Sequence, residues 1–429
     1  MNTTELDIKN VIKSKFASDS LLNIFSVFLL GVCGLLLNFI IARAYSASVL
    51  GIFNLVYAVY ILFSQFATLG VQVSSLKHIA EFSEDGDTCS VIIMSALVTV
   101  IVLASLSSVL LFYLRGWISH ILKSPDVATG ILYVIPGLWC FSLNKLFLNI
   151  LNGFRRMKSY SFFVSFRYVM MLLALIFFVN KGIPGERLSA IFSVAEFFLL
   201  IILVTYSFRL FSFAHFDHFT QWMRKHISFG LRFFVGGVTS EFNTRIDVLI
   251  LGYFTSVWHV GIYSFAAIIV EGLNQIPYVL KQNIDPVLTK MISQGQFGEI
   301  ITMVEKGRKW TFFGMATISF VLALVYPLCV RLFVGNDDFM NGWPVLCILI
   351  VGSVIQASYT PFSGMLVQGG FPGTQTLLFL LVAISNISLN VIMVPLFGIN
   401  GAAVATAISF GLFVYYFKKL TLMAFKITI

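Results

Sequence analysis

Seven ionisable side chains lie inside stretches that are otherwise apolar: Lys145, Arg167, Glu196, Glu241, Arg245, Asp247 and Glu271. A charge at mid-bilayer costs about 2.5–3.5 kcal/mol on insertion scales, so each must be paired, face water or handle a charged cargo. The turn between the fourth and fifth apolar runs centres near residue 156, with Lys145 and Arg167 each 11 residues away from it. At about 1.5 Å per residue both sit roughly 16 Å from that turn, on neighbouring antiparallel helices. Asn149 and Asn152 continue the Lys145 face towards Arg155, Arg156 and Lys158, so an anion arriving from that end meets cations in sequence. The competing reading pairs Arg167 with Glu196 and makes it a fastener of helices.

Downstream the sign reverses. Glu241 and Glu271 lie 15 residues on either side of a turn near residue 256, so their carboxylates are expected level in the membrane. Two close carboxylates in low dielectric cannot both ionise cheaply. Such a pair, with Asp247 nearby, could take a proton or Na+, or be neutralised by Arg245, four residues after Glu241. Polar stripes also run along the second span (Gln65, Thr68, Gln72, Ser75) and the tenth (Gln356, Tyr359, Thr360, Ser363, Gln368). They suit the wall of a hydrated cavity, or hydrogen bonding between helices. Pro361 and Gly364 predict that the tenth span is interrupted.

The elements that carry these residues follow from composition. Hydrophobic residues are 58% of the 429, charged residues 11%, and mean hydropathy is +0.92. Twelve apolar runs are long enough to span a bilayer, which takes about 20 residues. They cover roughly 20–42, 50–75, 90–114, 129–152, 160–180, 187–208, 229–252, 260–282, 310–332, 342–367, 374–394 and 401–417. The first is too long for the apolar core of a cleaved signal peptide. With both termini cytoplasmic, 19 Lys and Arg fall on the inner side against 6 outside. That asymmetry satisfies the positive-inside rule and accounts for the net charge of +9 without nucleic acid.

The chain is also written twice. Gly51-Ile52-Phe53 returns 210 positions later as Gly261-Ile262-Tyr263. Gly182-Ile183-Pro184-Gly185 returns 216 positions later as Gly398-Ile399-Asn400-Gly401, and Asn152-Gly153 as Gln368-Gly369. Six spans per half place both halves in the membrane with the same orientation. The expected fold is all-α: twelve transmembrane helices in two parallel six-helix lobes around a central cavity, a transporter's plan. Residues 1–19 are expected to lie at the inner interface, 20–208 to form the first lobe, 209–228 a cytoplasmic linker, and 229–429 the second lobe and tail.

Several chemistries are excluded or weak. The five cysteines are scattered without CxxC spacing. The linker's His215-Phe216-Asp217-His218 is thin grounds for a metal, and no G-x-x-x-x-G-K loop is present. Short external loops, the longest about 14 residues around 115–128, leave no room for a glycosyl-transfer domain such as a polymerase needs. Neither an enzyme nor a bound cofactor is expected, apart from a coupling H+ or Na+.

The stretch Arg245-Ile246-Asp247-Val248-Leu249-Ile250-Leu251-Gly252-Tyr253-Phe254, followed by Val260-Gly261-Ile262-Tyr263-Ser264-Phe265-Ala266, resembles the D-x-x-x-I-G-x-F…V-G-x-Y-S-x-A pattern of Wzx-type polysaccharide repeat-unit flippases. Ala42-Arg43-Ala44-Tyr45…Leu50-Gly51-Ile52-Phe53 is a looser copy lacking the aspartate. Pro395-Leu396-Phe397-Gly398-Ile399-Asn400-Gly401 looks like the final turn of the same family, part of the multidrug/oligosaccharidyl-lipid/polysaccharide exporter (MOP) group. The resemblance implies a MATE-like fold in a bacterial inner membrane. It implies an undecaprenyl-diphosphate-linked oligosaccharide as cargo, flipped outward for O-antigen or another surface polysaccharide (lipopolysaccharide included). A polysaccharide polymerase and chain-length regulator are the implied protein partners. Arg43, Lys145 and Arg167 would then face the diphosphate, Asn149, Gln65 and Gln72 the hydrated cavity, and Glu241, Arg245, Asp247 and Glu271 would couple or gate. An ion-coupled multidrug or organic-cation antiporter of the same fold is the alternative; it would favour a carboxylate-lined cavity.

Overall fold

A chain buried in lipid must close its backbone hydrogen bonds internally, and this one does so with helices. The computed structural model describes residue 26 and residues 29–209 and 218–429, among which no strand occurs. Residues 5–18, read above as an interfacial helix, and the His215-Phe216-Asp217 stretch lie outside the described residues.

The helices are α1 (Leu29–Ala44), α2 (Ala47–Thr68), α3 (Val71–Glu81), α4 (Gly86–Ile121), α5 (Pro125–Gly153), α6 (Met157–Asn180) and α7 (Ala190–Phe208) in the first half. The second half holds α8 (Phe219–Asn243), α9 (Ile246–Phe254), α10 (Val257–Ser293), α11 (Phe297–Cys329), α12 (Gly342–Ala357), α13 (Met365–Gln368) and α14 (Pro372–Phe425). Nine helices among the described residues are long and apolar enough to cross a membrane.

Local chemistry sets where they break. The run expected at 50–75 is two helices, because Leu69 and Gly70 both adopt left-handed backbone, with φ of 44° and 74°. The run at 229–252 is also divided: Arg245 leaves helical geometry with φ −129° and ψ −5°, separating α8 from α9. In the tenth span a 3-10 turn at Thr360–Phe362 follows α12, the interruption that Pro361 predicts. The repeated glycines explain themselves. Gly182 and Gly398, 216 positions apart, have φ of 62° and 57°, a region nearly closed to residues with a Cβ. At Gly398 the long α14 turns and becomes two helices.

The halves meet where α2 crosses α10. A Cβ on Gly51 would collide with the Val257 carbonyl, and one on Gly261 with the Ala47 carbonyl. Residues 47 and 257, like 51 and 261, are 210 apart, so the first sequence repeat marks a pseudo-twofold contact of backbone on backbone. Leu50 and Val260 beside it are fully buried. At the other end α8 lies across α3 and α4 of the first half. Its Gly230 presses on the Leu69 carbonyl, where any side chain would collide. His226 is fully buried there. Its Nε2 donates to the Ile92 carbonyl at 3.2 Å, leaving Nδ1 to accept from the Ser74 hydroxyl at 2.9 Å. Burial pushes the imidazole down to about 4, so this link stays neutral at ordinary pH.

The crossing should be sensitive to a single methyl-bearing side chain. In a background without native cysteines, Gly51→Val or Gly261→Val is expected to raise the reactivity of a cysteine placed at Leu50 towards a membrane-impermeant thiol reagent. Unchanged labelling in both variants would mean that the contact does not close that side of the molecule.

Candidate functional site

Between the halves lies a cavity of about 230 Å3. α1 gives it a flat wall through Gly31 and Gly34, and α2 contributes Phe53, Asn54, Tyr57 and Tyr60. The spacing of Phe53, Tyr57 and Tyr60, i, i+4 and i+7, puts three rings on one face of α2. They stack with Phe192 of α7 at centroid distances of 5.0, 5.2 and 5.4 Å, and Tyr60 stacks on Phe141 of α5 at 5.1 Å. The sequence holds 45 phenylalanines. Against that background this aromatic floor was missed, although its helical period was there to find.

Two arginine–glutamate pairs line the cavity, one from each half. In the first, Arg167 Nε stands 2.9 Å from Glu196 Oε1. Glu196 is fully buried, and its other oxygen accepts from the Asn144 amide at 2.8 Å. The Arg167 guanidinium lies 4.7 Å from the Phe141 ring centroid, with its Nη2 buried and lacking a hydrogen-bond partner. The Lys145 ammonium sits at the same distance from that ring and donates to the Ser64 hydroxyl at 3.0 Å. Thus Lys145 and Arg167 share one ring, but only Arg167 lines the cavity.

In the second pair Arg245 binds Glu271 through two parallel bonds of 3.0 and 3.2 Å, the geometry that suits guanidinium to carboxylate. The helix break at Arg245 supplies the reason: it removes the i, i+4 register that would have paired Arg245 with Glu241. The freed arginine turns to α10 and lies 5.1 Å from the ring of Tyr57, across the boundary between halves. Glu241 is exposed.

Asp247 is outside the cavity. Its carboxylate accepts from the Tyr263 hydroxyl and from the Val248 amide at 2.8 Å. Tyr263 also lies 3.3 Å from the Thr406 hydroxyl on α14. Further along the same helix, Asn386 holds Asn390 at 2.8 Å and Ser409 at 3.3 Å. Tyr263 stands out in the sequence only as part of the repeat and the family pattern, and Asn386, Asn390 and Thr406 do not stand out at all, though Asn386 and Asn390 share the i, i+4 spacing of a helix face.

The remaining expected residues do not line the cavity. Arg43 is exposed near the end of α1. Gln65 and Gln72 are buried, and Thr68 and Ser75 donate to carbonyls of their own helices. That stripe faces α8 and neighbouring helices rather than water. Asn149 donates to the Lys145 carbonyl at 2.8 Å.

Comparison with known proteins follows the same lines. A family described as polysaccharide biosynthesis protein matches residues 18–292. A Haloferax volcanii protein, "Probable low-salt glycan biosynthesis flippase Agl15", is 26% identical over 185 residues, 41% of this chain and 37% of that one. An uncharacterized membrane protein of Methanocaldococcus jannaschii is 23% identical over 303 residues, 68% of this chain and 59% of its own length. The chain thus matches less than two thirds of either relative. Among solved structures, the lipid II flippase MurJ in an inward closed conformation superposes with TM-score 0.76 at 16% identity, covering 95% of this chain and 88% of that one. An inward-facing MATE-family multidrug transporter of the MOP superfamily superposes with TM-score 0.78 at 13% identity, covering 92% and 94%. The fold is therefore that of the MOP transporters.

The two pairs should differ in what they contribute to stability. Removing one partner of a buried pair strands a charge, at about 3–5 kcal/mol. Glu196→Gln is expected to lose that much in reversible unfolding in detergent. Glu271→Gln, at a side chain 39% exposed, should lose clearly less. Equal losses would show that Arg167 finds another counter-ion.

Proposed function

The chain belongs to the polysaccharide biosynthesis protein family, and from that premise we propose that it flips undecaprenyl-diphosphate-linked oligosaccharide repeat units outward across a bacterial inner membrane. One observation carries this reading: Arg167 and Arg245, from opposite halves, line one cavity, each paired with a carboxylate. Arg167 Nη2, buried and without a hydrogen-bond partner, would need a small side-chain shift to donate to a phosphate oxygen. Tyr57, the partly exposed ring of the aromatic stack, offers a surface to a sugar, while the lipid tail stays in the bilayer. A diphosphate entering between the pairs adds a phosphate partner to each guanidinium, with Glu196 keeping its place against Arg167.

Residues 20–208 and 229–429 are the moving bodies, joined by the cytoplasmic linker 209–228, with both termini and the interfacial segment 1–19 on the inner side. The α2–α10 crossing closes the outer end, and its separation delivers the cargo. With the interior negative, each negative charge moved outward gains about 2.3 kcal/mol per 100 mV. Ion coupling, where used, falls to the Asp247 carboxylate, which can take a proton, or Na+ together with the Tyr263 and Thr406 hydroxyl oxygens, with Glu241 and Glu271 gating the cavity.

The second reading, a multidrug or organic-cation antiporter, draws support from the MATE-like fold. A cation would need a free carboxylate. Both glutamates that line the cavity are already paired to arginine, which favours an anion that binds the arginines.

Arg167→Ala and Arg245→Ala are each expected to abolish surface polysaccharide in a strain lacking its own flippase, while a C-terminal reporter still inserts and reads cytoplasmic. Lys145→Ala should be milder. Normal polysaccharide in the Arg167→Ala, Arg245→Ala double variant would sink the diphosphate assignment. For coupling, Asp247→Asn should leave binding of lipid-linked oligosaccharide intact but remove any dependence of transport on Na+ or pH. A variant that keeps the wild-type ion dependence would move the coupling site elsewhere.

A further inference from the structure

The flank of the second half that faces away from the first carries another pocket. It is open, about 360 Å3, and lined by Arg308, Lys309, Phe312, Phe313 and Ser358. α11 packs on α10 and α12 of its own half, and its Trp310 and Phe313 are 82% and 67% exposed. This is a bilayer-facing surface with interfacial tryptophan.

Its charges are arranged in depth. α11 starts at the turn after α10, so Arg308 and Lys309 lie nearer the membrane surface, with Phe312 and Phe313 one turn deeper at i+4 beneath each. Two columns, each a cation above an aromatic ring, have the polarity of a phospholipid. A third cation reinforces them. Arg308 donates to the Tyr359 hydroxyl, and the Lys418 ammonium lies 5.0 Å from the same ring. Among the described ion pairs none involves Arg308, Lys309 or Lys418, and Glu305, one turn from Arg308, pairs with none of them. Two cations gathered around one tyrosine, with Lys309 beside Arg308 in the pocket wall, repel each other unless an anion from outside joins them.

We propose that this pocket holds one anionic phospholipid, its phosphate on Arg308 and Lys309 with Lys418 behind, and an acyl chain along Phe312 and Phe313. A resident lipid fits better than transport cargo. The central cavity is built from α1, α2, α5, α6, α7, α10 and Arg245, with no residue of α11 to α14. The two pockets share no lining residue.

The test uses purified full-length protein in phosphatidylcholine nanodiscs doped with phosphatidylglycerol, with retained lipid read by native mass spectrometry. One phosphatidylglycerol per chain should be retained. The Arg308→Ala, Lys309→Ala double variant should weaken retention about thirtyfold, from roughly fivefold per cation near an anionic surface. Phe312→Glu, which places a carboxylate beside Arg308, should also expel the lipid without removing a charge. Lys290→Ala with Lys306→Ala, at two exposed cations on the same side, should leave retention intact. Equal loss in that control would reduce the effect to diffuse charge. Preferential retention of a polyprenyl diphosphate in this pocket would make it a cargo station and overturn the proposal. Neither outcome bears on the arginines of the central cavity.

Discussion

The close crossing of α2 and α10 governs the rest of the molecule. At Gly51 and Gly261 two backbones touch with no side chain between them, and from that point each helix runs along the boundary of the halves. Tyr57 lies six residues beyond Gly51 and Glu271 ten beyond Gly261, so the register of the crossing decides which side chains meet across the cavity. The Arg245 stack on Tyr57 is one result. Because the contact is packing of small residues rather than a network of bonds, it can part without leaving polar groups stranded in lipid. That suits a surface that opens and closes.

Charge placement obeys the same constraint. Burying an ion is tolerated only with a partner of good geometry. Glu196 meets the condition with Arg167 and Asn144, and Glu271 does so by a two-bond grip on Arg245. The cavity is thus nearly neutral in sum yet carries two guanidinium groups. A neutral total lets two guanidinium groups sit in one cavity at little electrostatic cost.

Backbone breaks do as much for the site as side chains. The departure from helical geometry at Arg245 aims its guanidinium at α10. The left-handed pair Leu69 and Gly70 ends α2 and lets α8 settle against the first half through Gly230 and His226. The second half is therefore fastened to the first at one end by polar bonds and at the other by bare backbone, an asymmetry suited to movement about the fastened end.

Much of this was legible in the sequence because the bilayer removes alternatives. Apolar runs had to be helices, charges within them had to matter, and glycines repeated at nearly constant offsets of 210 and 216 had to mark equivalent places in two halves. Gly182 and Gly398 proved to share left-handed backbone, and Gly51 and Gly261 to touch. Pro361 announced the interrupted span. What the sequence left open was rotation and partnership. Whether Gln65 and Gln72 face water or a neighbouring helix depends on how α2 and α3 turn about their axes, which packing settles. Equal distances from a turn placed Glu241 and Glu271 at one level but could not reveal that a break at Arg245 would hand that arginine to Glu271. The polar cluster of Asp247, Tyr263 and Thr406 joins residues up to 159 positions apart. Composition and period fix which segments enter the membrane; only the packed helices decide which of their polar groups meet, since in lipid a polar group takes whichever partner the neighbouring helix brings within reach.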